Sequence, residues 1–171
     1  MRPSTDLIVL SNQLSITRSN SRYPVFLKYI GNYSENCLTL NVVRPVGVFA
    51  HAKLPVAVWI YGGGFAEGST SLSINNLSYF VNASTAMGKP LIAVSMNFRQ
   101  TFFGLIAGKE ILKEGNTNLA LRDQRLALAW IQENINAFGG DPKRVTLFGQ
   151  SSYVPKVSDL MEGERSQLQR R

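Results

Sequence analysis

Residues Val145–Pro155 read VTLFGQSSYVP: a short apolar, β-favouring run, then a glycine, and two positions later Ser151. Such a run reads as a buried strand that ends in a tight turn with the serine at its apex. Working upstream, Phe138-Gly139-Gly140-Asp141-Pro142 is a helix stop, glycine first and proline after it. Before that stop lies the clearest helical pattern of the chain, from about Asn118 to Ala137. Leu126, Trp130, Ile131 and Ile135 recur there at i, i+4, i+5 and i+9, one apolar stripe. A long helix closed by a stop and followed at once by a buried strand is the unit from which α/β proteins are built.

The rest of the chain repeats that alternation. Pro55–Tyr61 is a continuous apolar run ending in Gly62-Gly63-Gly64, read as a strand covered on both faces and then a turn. Leu91–Asn97 reads as a second buried strand, and Val145–Gly149 as a third. Cys37–Val43 alternates apolar and polar residues, the pattern of a half-exposed strand. Ser73–Met87 has helical spacing, with Leu77, Phe80 and Val81 on one face, and Gln100–Asn118 reads as a glycine-interrupted loop. The fold class expected is α/β, a mostly parallel sheet with flanking helices.

Composition sets outer limits. At 171 residues, 44% apolar and 17% charged, the chain fits one ordinary globular domain. The net charge of +7 comes from scattered residues without an aromatic–basic motif, so nucleic acid is not expected as a partner. The longest apolar runs fall far short of the roughly 20 residues that cross a bilayer, and no transmembrane segment is expected. The opening residues hold a four-residue apolar run, too short for a signal peptide. Asn32, Asn76 and Asn82 each begin an Asn-x-Ser sequon, candidate N-glycosylation sites of a secreted surface, although chance gives one or two in a chain of this length. Cys37 is the single cysteine, so no internal disulfide is expected.

The glycine triplet and the serine turn acquire chemical meaning together. Backbone without side chains at a strand end can approach a ligand and aim N–H groups at it, as in an oxyanion hole. Taken singly, Gly62–Gly64 also fits a plain turn, and Ser151 an ordinary loop serine. An oxyanion loop after an earlier strand and a nucleophile on a later strand-to-helix turn is the order an α/β-hydrolase requires.

The words SENCLTLNV (34–42), LPVAVWIYGGGF (54–65), IAVSMNFR (92–99) and GNTNLALRDQRLALAWIQENINAFGGDPKRVTLFG (115–149), followed by Ser151, resemble the type-B carboxylesterase/lipase family, which includes fungal extracellular lipases and cholinesterases. The likeness runs from Ser34 to Ser151 in order and spacing. It implies an α/β-hydrolase fold and hydrolysis of carboxylic esters, small or lipid, through an acyl-enzyme, with no metal and no cofactor. By position it implies Ser151 as nucleophile and the N–H groups of Gly63, Gly64 and Ser152 as oxyanion hole. It also implies Arg99 and Asp123 as a buried ion pair supporting the nucleophile strand. Cys37 falls at one half of a family disulfide whose upstream partner is missing. The parent family is typically secreted.

The departures shape the remaining expectations. The family turn Gly-Glu-Ser-Ala-Gly is here Gly149-Gln150-Ser151-Ser152-Tyr153, and Tyr153 replaces the glycine that lets the next helix pack against the strand. The expected organisation is a divergent segment 1–33, a partial esterase domain 34–152 and an unrelated charged tail 153–171, hence an incomplete α/β-hydrolase fold. The family order is serine, acid, histidine. The single histidine, His51, precedes Ser151 by a hundred residues and reads as a solvated loop residue. Asp159, Glu162 and Glu164 are acids without a histidine to orient. The chain as given is therefore expected to be catalytically incomplete, truncated just after its nucleophile. The alternative is a non-catalytic binding form or a product without function.

Overall fold

The apolar runs come together as one sheet in the computed structural model, which describes residues 7–10 and 36–151. In chain order the elements are β1 (Leu7–Leu10), β2 (Leu40–Pro45), β3 (Leu54–Ile60), α1 (Ser78–Ala86), β4 (Ile92–Met96), α2 (Thr101–Leu105), α3 (Lys109–Lys113), α4 (Leu119–Asn134) and β5 (Gly140–Gly149). The strand order is β1-β2-β4-β3-β5. β3 runs parallel to both β4 and β5, while β2 joins β4, and β1 joins β2, antiparallel. The result is an α/β arrangement, parallel where the apolar runs are longest and antiparallel at the side of β1 and β2.

Strand alternation sorts the core into two layers. Val42, Val56, Val58, Ile60, Ile92, Val94 and Met96 meet Ala120, Leu128 and Ile131 of α4 on one face. On the other, Val43 and Ala93 meet Leu77 and Val81, and Trp59 and Phe148 pack beside them. A central parallel strand must be apolar on both faces, and β4 is buried along its whole length.

Several sequence expectations shift. β2 is not half-exposed: Val42 faces α4 and Val43 faces α1, and both are buried, because β2 lies inside the sheet between β1 and β4. β5 is only half-buried at Val145, Leu147 and Phe148, since it is the outermost of the described strands on its side. The helical pattern of Ser73–Met87 divides into a 3₁₀ turn at Ser73–Asn75 and α1. The expected loop Gln100–Asn118 contains α2 and α3.

The stripe of α4 is displaced as well. Leu126 is 67% exposed, and the face against the sheet is Ala120, Gln124, Leu128, Ile131 and, just beyond the helix, Ile135. Leu126 lies two residues, about 200° of helical rotation, from Gln124, and so points away from the core. A polar residue at the centre of the buried face conceals its phase from a hydropathy reading.

Candidate active site

Parallel strands present their carboxyl ends on one side of a sheet, the side where α/β folds place ligands. Here β3 ends in the loop Gly62–Gly68, β4 leads into Asn97–Gln100, and β5 leads into Gln150 and Ser151. Register brings two of these together. Ile60 pairs with Gly149, and the Gln150 N–H donates to the Ile60 carbonyl at 3.3 Å. A Cβ on Gly62 would lie 2.9 Å from both the Gln150 carbonyl oxygen and the Ser151 Cβ. The first glycine of the triplet is therefore where the loop and the serine turn touch, which is a reason for glycine there that the sequence reading did not assign.

Ser151 has φ 60° and an exposed side chain. A non-glycine residue in the left-handed region is uncommon and, on a sharp turn after a strand, lifts its side chain out of the sheet end. Nothing in the residue letters announces that φ. Ser152, expected to donate the third N–H, lies outside the described residues, as does Asn32.

The glycine loop is as tightly shaped. Gly63 has φ 143° and Gly64 φ 61°, and a Cβ on Gly63 would fall onto the Glu67 carbonyl. The Gly63 carbonyl turns inward and accepts the N–H groups of Ala66 (3.0 Å) and Glu67 (3.1 Å). Among the described residues, the N–H groups of Gly63 and Gly64 donate to no acceptor.

Beneath the loop sits a polar network. Tyr61 is buried and stacks on Phe98 with ring centroids 4.8 Å apart. Its hydroxyl donates to Asn97 Oδ1 (3.4 Å) and accepts from Gln100 Nε2 (3.0 Å). Asn97 Oδ1 also accepts from the Thr70 N–H, and Asn97 Nδ2 donates to Thr39 Oγ1, both at 2.9 Å.

Arg99 and Asp123 join the end of β4 to α4. Arg99 donates through Nε to Asp123 Oδ2 (2.8 Å), through Nη2 to Oδ1 (2.6 Å) and through its backbone N–H to Oδ2 (3.0 Å). The Asp123 side chain is 4% exposed and the Arg99 side chain 37%. The hydrogen bond to Asp123 raises the Arg99 pKa further above its already high ordinary value, against the opposing effect of burial. A raised cationic pKa contributes stability that is complete below the unfolded value, and only strong alkali would remove it.

The other candidates lie apart. His51 is exposed, in a turn three residues before β3 begins. The seven residues of β3, each rising about 3.3 Å, separate it from the strand end that carries the glycine loop and Ser151. Cys37 is an exposed free thiol. Asn76 is exposed just before α1, whereas Asn82 is half-buried within that helix. Among the described residues no three His, Cys, Asp or Glu side chains cluster as a metal site, and no helix is long and apolar enough to cross a membrane.

Two residues with structural weight escaped the sequence reading. Gln100 lies in the stretch that reads as a loop and stands immediately before α2. Gln124 is fully buried, and among the described residues its Oε1 and Nε2 have no hydrogen-bond partner.

Comparison with known proteins gives this geometry a lineage. The chain matches the model of the Carboxylesterase family over residues 10–166. It is 51% identical over 119 residues to Lipase 5 of Diutina rugosa, covering 70% of this chain and 21% of that lipase. Secreted lipase 1 of Botryotinia fuckeliana is 49% identical over 138 residues, 81% of this chain and 24% of its own length. Lipase 2 of Geotrichum candidum is 43% identical over 161 residues, 91% of this chain and 28% of its own. Among solved structures, Aspergillus niger EstA superposes with a TM-score of 0.62 at 35% identity, over 70% of this chain and 22% of EstA. A thermophilic pNB esterase gives 0.61 at 40% identity, over 69% of this chain and 23% of its own. The chain thus spans between 21% and 28% of the length of these lipases and esterases, and on these matches it belongs to the carboxylesterase family.

Proposed function

We propose that these residues form the nucleophile and oxyanion-hole half of a serine carboxylic ester hydrolase, with Ser151 as the attacking residue. The observation that carries this reading is the approach of the Gly62 backbone to Gln150 and Ser151, with Ser151 held at φ 60°. In the proposed reaction Ser151 Oγ attacks the ester carbonyl and its proton passes to a base. The carbonyl oxygen takes up charge facing the N–H groups of Gly63, Gly64 and Ser152. The alcohol leaves and an acyl-serine remains for water to hydrolyse. The Arg99–Asp123 pair fixes the shelf on which the glycine loop rests. Small or lipid esters are the proposed substrates and a secreted setting the proposed location, in keeping with relatives named secreted lipases. Within that setting Asn76, exposed before α1, is the better placed of the two described sequons.

In this reading the base is the missing element: the single histidine of the sequence, His51, stands at the opposite end of β3 from Ser151 among the described residues. We infer that on their own they acylate slowly and do not turn over efficiently. Enzymes of this kind stripped of a triad member keep roughly 10³–10⁴-fold over water, which is an upper limit here. The test is intact-mass analysis after exposure to an alkyl fluorophosphonate, in which serine oxygen displaces fluoride and the proton goes to solvent. Slow, stoichiometric labelling that Ser151→Ala abolishes supports the reading. Equal labelling of Ser151→Ala refutes the nucleophile assignment, and rapid turnover of p-nitrophenyl butyrate by the chain refutes its incompleteness.

A further inference from the structure

We propose that Gln100 is a positioning residue that holds the glycine loop in its oxyanion-binding shape. The inference rests on the reading of Gly62–Gly68 as an oxyanion loop and deepens it. The loop departs from Tyr61 and returns at Gly68, and Gln100 Nε2 donates at 3.0 Å to both, to the Tyr61 hydroxyl and to the Gly68 carbonyl. One amide therefore ties the two ends of the loop together. The next residue ties its middle: the Thr101 N–H donates to the Phe65 carbonyl at 2.8 Å.

Both partners of that second bond are in the left-handed region, Phe65 at φ 64° and Thr101 at φ 55°. For β-branched Thr101 this is a true outlier, of the kind that persists only where surrounding contacts over-determine it. The contacts are present. Arg99 is held by three hydrogen bonds to Asp123, and a Cβ on Gly104 would strike the Arg99 carbonyl, so α2 starts hard against the end of β4. Position thus passes from α4 through Asp123 and Arg99 to Gln100, and from Gln100 to the two ends of the loop.

The role needs an N–H donor of glutamine length, since both acceptors are oxygens. Gln100→Met keeps the length and removes the donors; Gln100→Glu keeps length and polarity and replaces the amide with acceptors only. The test is amide hydrogen exchange of the 171-residue chain and both variants. The loop is read at Ala66 and Glu67, whose N–H groups bond to the Gly63 carbonyl, and the core at Val58 and Val94. The loop-to-core ratio of exchange rates is the readout, because a purely global loss of stability speeds the core at least as much as the loop and so does not raise the ratio. The two hydrogen bonds lost in Gln100→Met, each worth about fivefold, predict a rise in that ratio of roughly 10- to 30-fold; in Gln100→Glu the Tyr61 hydroxyl can turn to donate to the carboxylate, so the lost Gly68 bond alone predicts about fivefold or more. An unchanged ratio in either variant overturns the proposal. No step of the test requires ester hydrolysis, so a failure of the esterase reading would be seen separately, in the phosphonate labelling.

Discussion

Replacing Gln124 with methionine should make the chain more stable, although the substitution removes a polar group from the middle of a helix whose register it helps to define. Gln124 has no exposure, and among the described residues neither Oε1 nor Nε2 has a hydrogen-bond partner. Withdrawing an amide from water without a replacement bond costs about 1–3 kcal/mol on protein-derived scales. Methionine has nearly the length of glutamine and is likewise unbranched at Cβ and Cγ, so it can occupy the same place on the buried face of α4, and the two residues have similar helix propensity. The net expectation is a gain of about 1–2 kcal/mol. With a urea slope of about 1.5 kcal/mol/M, the midpoint rises by roughly 1 M, and Tm by about 3–6 °C. Gln124→Ala separates polarity from volume: it also removes the amide but leaves a cavity, and should lower the midpoint. A midpoint that falls with methionine would refute the reasoning, because it would mean that the amide has a partner strong enough to offset its burial.

Other substitutions probe the site. Asp123→Asn should lower stability by about 2–3 kcal/mol, below the 3–5 kcal/mol of a fully buried pair because Arg99 is partly solvated. Urea midpoints check this, and the double replacement Arg99→Leu/Asp123→Leu should be less harmful than the sum of the singles. Gly62→Ala places a methyl group 2.9 Å from the Gln150 carbonyl and the Ser151 Cβ; it should cost about 1–3 kcal/mol and abolish phosphonate labelling of Ser151. Gly63→Ala should be worse, since its φ of 143° is strained for any side chain and the Cβ overlaps the Glu67 carbonyl. Ser151→Gly should raise stability by about 0.5–1 kcal/mol, the strain of a left-handed serine less the entropy of glycine, and a fall in Tm would remove the case for strain.

The strand–glycine–strand–serine order was legible because β3 and the Val145–Phe148 end of β5 are short β-favouring runs with nothing helical in their period, and because glycine punctuates both ends; the first half of β5, which reads as a helix stop, joins the sheet through the pairing of Gly140 with Leu54. What the letters hid was of three physical kinds. The phase of α4 was concealed by Gln124: a polar residue on the buried face made Leu126 the apparent continuation of a stripe it does not belong to. α2 and α3 are five-residue helices, too short to show a period, and Gly104 within α2 reads as a break, when it is there because Arg99 and Ala120 leave no room for a Cβ. The left-handed backbone of Phe65, Thr101 and Ser151 is imposed by tertiary contacts, and no local propensity for phenylalanine, threonine or serine predicts it. Candidate site residues and the Arg99–Asp123 pair could thus be proposed from sequence, whereas Gln100 and the left-handed backbone around the glycine loop could not.

Among the described strands β5 has one neighbour, β3, and Ser151 stands two residues beyond the end of β5. Its turn is aligned with the glycine loop through the Ile60–Gly149 pairing and the hydrogen bond from Gln150 to Ile60. Peeling at the last two residues of that pairing would separate the serine from the glycine loop while leaving the remainder of the sheet zipped. Reactivity at Ser151 is therefore a gauge of fraying at one strand terminus: its temperature dependence should follow the local opening of β5 and fall away at temperatures where circular dichroism still registers an intact fold.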